Sequence, residues 1–498
     1  MPVVKAADIP PGAAPSQVTS FGSPLSKLDN DVVDDIERRS FRYFLEQTDL
    51  RTGLVLDRAL ANGRADSNFS TERIASIAAT GFGLTAHCIA LNHRWIGPEA
   101  AKARVLPALR FFANLAPQEH GWFYHFMDAS TGVRAGQSEV SSIDTALLLA
   151  GVLTVRQCFK DDPEIVGLAT TIYNRVDFPW MLETKGQAKG QFFMHGWTPE
   201  TGFLRYRWDT YSELLILYAL GIGSPTHPVS SDTWDAWNLP VTAVGQYTYI
   251  GGGPLFVHQY SQAWLDLRNR FPVEAPAVRP TLMSASFDPR GNRMHPNYFA
   301  NSVLATRAQQ EMFSKMLSQK YPGYTENLWG VTASDGPNGY TAWGTSPSDP
   351  RIDGTIVPSA AGGSLMFAPD ICIPALRTML VQYGDKIYGR YGFVDAFNPV
   401  TEWTSRYVLG IDVGITLLSA ENLRYGTVWR WFMDNPEPVR ALDLAGVGTP
   451  RDRIRILPAE SSSPIESAKA DSKSEPTSRS QKQLPGSSAF VPAALPLR

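Results

Sequence analysis

Segments with helical periodicity fill most of this 498-residue chain, and they limit the possible fold more than any other feature. Between residues 29 and 48, apolar side chains at Val33, Ile36, Phe41 and Phe44 line one face of a helix. Similar segments follow near 71–95, 99–115, 141–160, 163–184, 210–221, 257–269, 297–319, 370–383 and 412–424, with shorter ones to about 446. Because strand-like alternation is scarce and no solenoid repeat is present, the pattern predicts an all-α fold, closed as an α/α toroid.

The two ends of the chain differ in composition from the rest. Residues 1–28 are rich in Pro, Gly, Ser and Ala, which predicts a flexible N-terminal arm. Residues 451–498 are rich in Ser and Pro and carry few large apolar groups, which predicts a disordered tail. A single folded domain over 29–450 is expected between them. The first residues lack the regions of a signal peptide, so the protein is expected to stay inside the cell, or to be periplasmic or secreted if a leader was removed.

Composition and short motifs argue against several classes of function. Lys and Arg total 45 against 48 Asp and Glu, a balance that argues against a nucleic-acid partner. The longest apolar run, 145–155, is too short to cross a membrane. Three cysteines (Cys88, Cys158 and Cys372) and scattered histidines predict no disulfide framework and no metal site. Residues 81–86 fit G-x-G-x-x-A, but they lie in a helical pattern with no strand before it, so no dinucleotide or other cofactor is expected.

Acidic residues just before apolar helices are the most informative chemical signal. Glu139 and Asp144 precede the apolar run 146–155, and Glu213 precedes 214–220. Spacing alone also fits two capping boxes, Ser141 with Asp144 and Thr210 with Glu213. The alternative is that two helix N-termini open onto one cleft, where opposed carboxylates act as general acid and general base.

Three later acids lie among glycines and aromatic residues. Glu326 is in a polar and aromatic loop, Asp395 lies within 391–399, and Asp412 opens an apolar helix. An acid buried in such surroundings needs a partner, and nearby arginines could supply one. From spacing alone, a structural role and a catalytic role remain open for each of these acids.

Several strings, taken in order, resemble the bacterial glucoamylase-like glycoside hydrolases, best represented by endo-β-1,2-glucanases. They cover nearly the whole of 35–446 and are residues 121–128, 138–149, 211–213, 224–228, 324–330 with 339–340, 383–386, 391–399 and 410–414. The resemblance implies an (α/α)₆ toroid that hydrolyses a β-linked glucan.

The resemblance also implies roles for individual residues. Glu213 matches the general acid, Asp395 or Asp412 matches the general base, and Asp144 matches an acidic catalytic position in the cleft. More distant transglycosylase relatives use a nucleophilic Glu in a segment similar to 254–260, which has no acid here. This difference favours an inverting mechanism. The predicted substrate-binding residues are Glu139, Asp57, Arg58, Glu326, Trp329, Tyr340, Trp343, His258 and Gln259.

The resulting hypothesis is an endo-acting, inverting hydrolase of β-1,2-glucan. A net charge of −3 and thirteen tryptophans fit a neutral β-glucan held on aromatic rings, with Trp329, Tyr340 and Trp343 as stacking platforms. The alternatives are a β-1,2-glucan transglycosylase, another glucan hydrolase or lyase on the same fold, and a glycan-binding protein without catalysis.

Overall fold

The computed structural model describes residues 25–68, 73–183, 189–268, 270–272, 286–287, 294–344, 346 and 348–448. The predicted tail lies outside these residues, as do residues 1–24 of the predicted arm. Helix α1 begins at Lys27, where the side chain of Ser26 accepts a hydrogen bond from Asp29 N, so the predicted arm boundary at residue 28 is slightly too late.

The described residues are mostly helical, as predicted. The α-helices are α1 (Lys27–Glu46), α2 (Ile77–Asn92), α3 (Pro98–Asn114), α4 (Ser142–Cys158), α5 (Pro163–Arg175), α6 (Leu215–Gly223), α7 (Phe256–Gln259), α8 (Tyr298–Glu311), α9 (Pro358–Gly362), α10 (Pro369–Ile387), α11 (Gly410–Arg424), α12 (Thr427–Met433) and α13 (Pro436–Leu444). None of the described helices is both long and apolar enough to span a membrane. Closure into a toroid stays a prediction.

The strands in the described residues are two to four residues long and pair antiparallel in small sheets. They are β1 (Arg58–Leu60) with β18 (Tyr407–Leu409), β2 (Ile74–Ser76) with β5 (Phe126–Asp128), β3 (Gln118–Glu119) with β4 (Trp122–Phe123), β9 (Val241–Val244) with β10 (Tyr247–Ile250), β11 (Phe271–Pro272) with β19 (Val447–Gly448), β12 (Ser286–Phe287) with β13 (Met294–His295), β14 (Tyr388–Gly389) with β15 (Gly392–Phe393), β16 (Phe397–Asn398) with β17 (Trp403–Thr404), and the three-stranded sheet β6 (Val140–Ser141), β7 (Gly196–Thr198) and β8 (Gly202–Phe203).

Helices α2 and α4 pack together so closely that their backbones meet. A Cβ atom on Gly151 would lie 2.2 Å from the carbonyl oxygen of Gly81, and one on Gly81 would lie 2.3 Å from that of Leu147. Helix α2 also contacts α1, α3 and α11, while α4 contacts α5, α6 and α12. Gly81, the first glycine of the G-x-G-x-x-A match, therefore serves helix packing.

Short strands lead into three of these helices and bring their N-termini together. Strand β2 leads into α2, β6 into α4 and β18 into α11. Asp57 joins two of these entries, since its N–H donates to Ile74 O and its carbonyl accepts from Gly410 N, both at 2.8 Å. The polar side chains near the start of these helices consequently share one region.

Candidate active site

Glu213 lies in the turn that precedes helix α6, not in the helix itself. The helix begins at Leu215, and its N-cap Leu214 receives no side-chain cap. The capping-box interpretation of Glu213 is therefore wrong. The main-chain carbonyl of Glu213 accepts a hydrogen bond from the Ser261 hydroxyl, which fixes this turn against the segment that follows α7.

The Glu213 carboxyl group is buried, with 8 % of the residue exposed, and its Oε2 atom has no hydrogen-bond partner. Burial raises the pKa of Glu213 to about 7, and the nearby charge of Asp144 also raises it. A carboxyl group with this pKa holds a proton near neutrality and can donate it.

Asp144 lies in the first turn of α4 and pairs with the predicted cap. Ser141 caps the helix by accepting from Asp144 N at 3.3 Å, and the Ser141 hydroxyl donates to Asp144 Oδ2 at 2.5 Å. This confirms the local capping interaction. The carboxylate of Asp144 also faces His125, whose Nε2 lies 3.4 Å from Asp144 Oδ1.

The imidazole of His125 bridges two carboxylates. Its Nδ1 lies 3.0 Å from Glu139 Oε1, while Nε2 faces Asp144. Burial works to lower the pKa of His125, but the charges of Asp144 and Glu139 outweigh burial and raise this pKa to about 9. Among the described residues, this is the one group whose ligand atoms are close enough to hold a metal ion. Because each ring nitrogen serves a different carboxylate, the arrangement fits an imidazolium between two anions better than a metal centre.

Asp395 and Asp412 are buried carboxyl groups whose ionisations affect each other. Burial and the hydrogen bond to Asp412 raise the pKa of Asp395 well above its usual range. Burial also raises the pKa of Asp412, to about 6, although hydrogen bonds from Asp395 and Ser359 oppose this rise. Two buried carboxyl groups that affect each other in this way resist ionising together, so the pair holds one proton near neutrality.

Asp335 connects this pair to Asp57 and Arg58. The main-chain N–H of Asp335 donates to Asp395 Oδ2 at 2.6 Å. Arg58 contacts Asp335 Oδ1 through Nη1 and Asp57 Oδ2 through Nε, each at 3.1 Å. Burial works to lower the pKa of Arg58, but Asp57 and Asp335 outweigh it and the pKa is raised. The guanidinium thus stays charged among three acids.

The charges of the site's carboxyl groups affect two buried tyrosines. Burial raises the pKa of Tyr260 well above its usual range, and Asp412, Glu213 and Asp395 raise it further. Burial also raises the pKa of Tyr340 well above its usual range, and the charges of Asp412, Asp395 and Asp57 raise it further. The predicted acids therefore share one site that contains a protonated carboxyl group, an ionisable pair and phenol hydroxyls. Such a site can give one proton and accept another.

Comparison with known proteins shows which family the chain resembles. The Glycoamylase family model matches residues 205–436. An endo-β-1,2-glucanase from Chitinophaga pinensis, solved with sophorotriose and glucose, has a TM-score of 0.73 and 25% identity, covering 86% of this chain and 100% of that chain. The chain is similar to the glucoamylase-like family, which is related to bacterial β-1,2-glucan hydrolases.

Two further proteins that this chain is similar to come from Parabacteroides distasonis. A curated exo β-1,2-glucooligosaccharide sophorohydrolase (non-reducing end) is 26% identical over 446 residues, which are 82% of this chain and 57% of the relative. The chain therefore spans little more than half the length of that relative. A solved β-1,2-glucanase shares the fold at a TM-score of 0.71 and 23% identity, over 85% of this chain and 60% of the other.

Three of the predicted binding residues have surroundings that do not fit their expected roles. Glu326 is exposed, and its main-chain carbonyl accepts from Gln310. Trp329 and Trp343 are 0% and 3% exposed and belong to the core around α8, α9 and α10. The stacking interpretation of these two rings is corrected accordingly, because a ring enclosed by core side chains presents no free face to a sugar.

His258 and Gln259 are also directed into the protein interior. The His258 ring contacts Tyr211, whose hydroxyl lies 3.2 Å from Nδ1, and burial lowers the pKa of His258 to about 3. Gln259 donates from Nε2 to Ala360 O at 3.0 Å and to Ser364 Oγ at 2.8 Å. Both side chains hold α7 in place, so the prediction that they bind substrate is not supported by their contacts.

Sequence reasoning missed three members of the site: His125, Asp335 and Tyr260. His125 lies within the string 121–128, which supplied a family signal but no role. Asp335 lies in a loop and carries no motif of its own, and Tyr260 follows a short helix as an ordinary apolar position.

Proposed function

We propose that this chain is a glycoside hydrolase that cleaves β-1,2-glucan at internal bonds with inversion of the anomeric carbon. The observation that carries the proposal is the pairing of Glu213, protonated near neutrality, with the half-protonated pair of Asp395 and Asp412. Glycoside hydrolysis needs a carboxylic acid to protonate the leaving oxygen and a carboxylate to activate water. The family and the sophorotriose complex of the Chitinophaga pinensis relative favour β-1,2-glucan as the substrate.

In this proposal Glu213 is the general acid and Asp412 is the general base. Asp412 lies in the first turn of α11, where the helix dipole stabilises an anion. Asp395 holds the shared proton and so keeps Asp412 ionised at a lower pH than an isolated buried aspartate would allow. Asp57, Arg58, Glu139 and Tyr340 line the same region and would bind sugar hydroxyls.

Two features support inversion and the endo mode. Segment 254–260 carries no acid, so it offers no carboxylate nucleophile for a covalent glycosyl intermediate. This chain covers the whole Chitinophaga pinensis endo-glucanase but only 57% of the Parabacteroides distasonis exo-hydrolase. Release of sophorose units from the non-reducing end is the second candidate, favoured by the 26% identity to that relative.

We further propose that the helices close into an (α/α)₆ toroid. Helix contacts run from α11 to α2, from α2 to α4 and from α4 to α6, and the segment after α7 contacts both α6 and α11. Helix α9 also contacts α11. This order supports an inner ring whose helix entries carry the site.

The test is product analysis on a panel of linear β-glucans with the wild-type chain and Glu213→Gln. We expect the wild type to release oligosaccharides of mixed length from β-1,2-glucan, and the first product to be the α anomer by proton NMR. Glu213→Gln should lower turnover by about 10²- to 10⁴-fold. Glu326→Gln is the matched control and should keep full activity, because Glu326 is exposed whereas the acids of the proposed mechanism are buried.

Three other outcomes would each contradict one part of the proposal. Sophorose as the sole early product would favour the exo mode, and a β anomer would refute inversion. Binding of β-1,2-glucan without any product would favour a glycan-binding protein.

A further inference from the structure

Asp335 lies in a loop, residues 334–341, whose two ends are bonded together. The main-chain N–H of Ser334 donates to Thr341 O at 3.0 Å, and that of Thr341 donates back to Ser334 O at 2.8 Å. The buried indole of Trp343 donates from Nε1 to the Ser334 hydroxyl at 3.1 Å. The core position of Trp343 therefore fixes the base of the loop that carries Asp335.

Both carboxylate oxygens of Asp335 have a partner on another part of the chain. Arg58 of β1 donates from Nη1 to Oδ1 at 3.1 Å, and the hydroxyl of Ser405 donates to Oδ2 at 3.1 Å. Strand β1 pairs with β18, where Arg58 lies opposite Leu409, and Ser405 lies in the turn that leads into β18. The side chains of Asp335 and Arg58 are 13% and 21% exposed. These two contacts hold the loop against the sheet in a place that water reaches poorly.

The main chain of Asp335 bonds directly to one carboxyl group of the site. Its N–H donates to Asp395 Oδ2 at 2.6 Å, and Asp395 N–H donates to Tyr407 O of β18 at 3.0 Å. Asp395 and Asp412 line one small cavity together with Ser359, so the two acids are neighbours. The bond at Oδ2 therefore fixes the rotation of the carboxyl group that lies beside Asp412.

We infer that Asp335 is a positioning residue that fixes the Asp395 carboxyl group beside Asp412. The inference rests on the proposed function. Arg58 and Ser405 hold the carboxylate of Asp335, and this keeps its main-chain N–H on Asp395 Oδ2. Because both oxygens of Asp335 are already bonded within the protein, Asp335 acts through Asp395 and not through a contact with the sugar. The role is the same whichever of the two acids is the general base, since either assignment needs the pair in a fixed geometry.

The test compares Asp335→Ala and Asp335→Asn with the wild type on the β-1,2-glucan that the wild type cleaves. Alanine removes the contacts to Arg58 and Ser405, so kcat should fall about tenfold. KM should stay within about twofold, since ground-state sugar binding is unchanged. The amide of asparagine can still accept from Arg58 and can donate to the Ser405 hydroxyl, so Asp335→Asn should recover most of the lost kcat.

The pH profile of Asp335→Asn gives a second measurement. The charge of Asp335 raises the pKa of both Asp395 and Asp412. Loss of this charge should therefore move the acid limb of kcat/KM to lower pH. A residue that only stabilised the fold would leave this limb in place.

Asp349→Ala is the matched control. The carboxylate of Asp349 also bonds an arginine and a main-chain N–H, those of Arg351 and Gly344, but these contacts stay within its own loop. This variant should keep both kcat and the acid limb of the wild type. Thermal midpoints of all variants keep the assay temperature well below unfolding. If Asp335→Ala does not fold, Ser405→Ala removes one contact alone and should lower kcat by a smaller factor.

Several results would refute the inference while leaving the proposed hydrolase intact. They are an unchanged kcat in folded Asp335→Ala, an unchanged kcat in Ser405→Ala where that variant takes its place, and a raised KM at unchanged kcat. An Asp335→Asn variant as slow as Asp335→Ala would also refute it, because the loss would then follow the charge and not the contacts. A wild-type chain that cleaves no β-1,2-glucan would refute both proposals.

Discussion

At the scale of single residues, the main chemical question is which of Asp395 and Asp412 acts as the general base. The two hold one proton near neutrality, and in the proposed mechanism Asp395 carries it while Asp412 is ionised. We therefore predict that Asp412→Asn lowers kcat by about 10²- to 10⁴-fold, because the general base is lost. Asp395→Asn should lower it much less, since the amide can still donate a hydrogen bond to Asp412. Steady-state kinetics of the two variants decides this, and the reverse order would assign the base to Asp395.

The pH dependence of catalysis follows from the same groups. Activity requires ionised Asp412, with a pKa of about 6, and protonated Glu213, with a pKa of about 7. The profile of kcat/KM should rise through about pH 6 and fall through about pH 7. The charge of Asp144 raises the pKa of Glu213, so Asp144→Asn should move the alkaline limb to lower pH whatever it does to the maximum rate. Glu326→Gln should leave both limbs in place. A shift of the alkaline limb to higher pH in Asp144→Asn would contradict this assignment.

The sequence predicted the principal acids of the site but not the groups that set their ionisation. Glu213, Asp144 and Asp412 precede or open helices, and Asp395 lies among glycines and aromatic residues within 391–399, and both are local signals. Asp335 reaches Asp395 across 60 positions of the chain through its main-chain N–H. No periodicity reports such a contact, because it depends on how loops from distant helices meet.

At the scale of secondary structure elements, the contact between α2 and α4 depends on two glycines. A Cβ on Gly151 would lie 2.2 Å from Gly81 O, where only backbone could move aside. Gly151→Ala should therefore lower the free energy of unfolding by about 1–3 kcal/mol or more. Gly167→Ala is the matched control in helix α5, where an added Cβ meets nothing within 4 Å, and should raise stability by about 0.4–1 kcal/mol. Urea unfolding measures the free energy of unfolding of both variants. If Gly151→Ala and Gly167→Ala changed it equally, α2 and α4 could move apart without a measurable loss of stability.

The helices were easier to predict than their ends. Apolar periodicity predicted most of them, but α6 begins at Leu215, five residues after the expected start at 210, because Glu213 and its neighbours form a turn bonded to Ser261. Helix α9 (Pro358–Gly362) was not predicted, since five residues that begin with Pro and end with Gly have the composition of a loop. Both misses lie where tertiary contacts decide the backbone.

At the scale of the whole molecule, a buried ionic cluster ties the first helix to a late one. Glu37 of α1 pairs with Arg424 at the end of α11, and His93 after α2 lies 2.7 Å from Glu421 of α11. Glu37 and Glu421 are fully buried. Burial raises the pKa of Glu37 to about 7, although Arg424 opposes the rise. Because the carboxylate is costly to bury alone, joining α1 to α11 depends on its partner.

Arg424→Met should consequently lower the free energy of unfolding by about 3–5 kcal/mol near pH 8, where Glu37 is ionised in the native protein. The folded pKa of Glu37 lies above its ordinary value of 4.5, so burial of the neutral form stabilises the protein below about 4.5 and this contribution is lost as pH rises through about 7. Loss of Arg424 raises that pKa further, so the loss in the free energy of unfolding caused by Arg424→Met should become smaller toward pH 5.

Arg390→Met is the control, because it removes a surface pair with Glu46 in which the arginine side chain is 40% exposed. It should lower the free energy of unfolding by at most about 1 kcal/mol at either pH. Combining Arg424→Met with Glu37→Met should restore most of the loss, because no buried charge is then left unpaired. Urea unfolding at pH 5 and pH 8 measures the free energy of unfolding of each variant. An equal loss for Arg424→Met at the two pH values would show that Arg424 acts through packing and not through its charge.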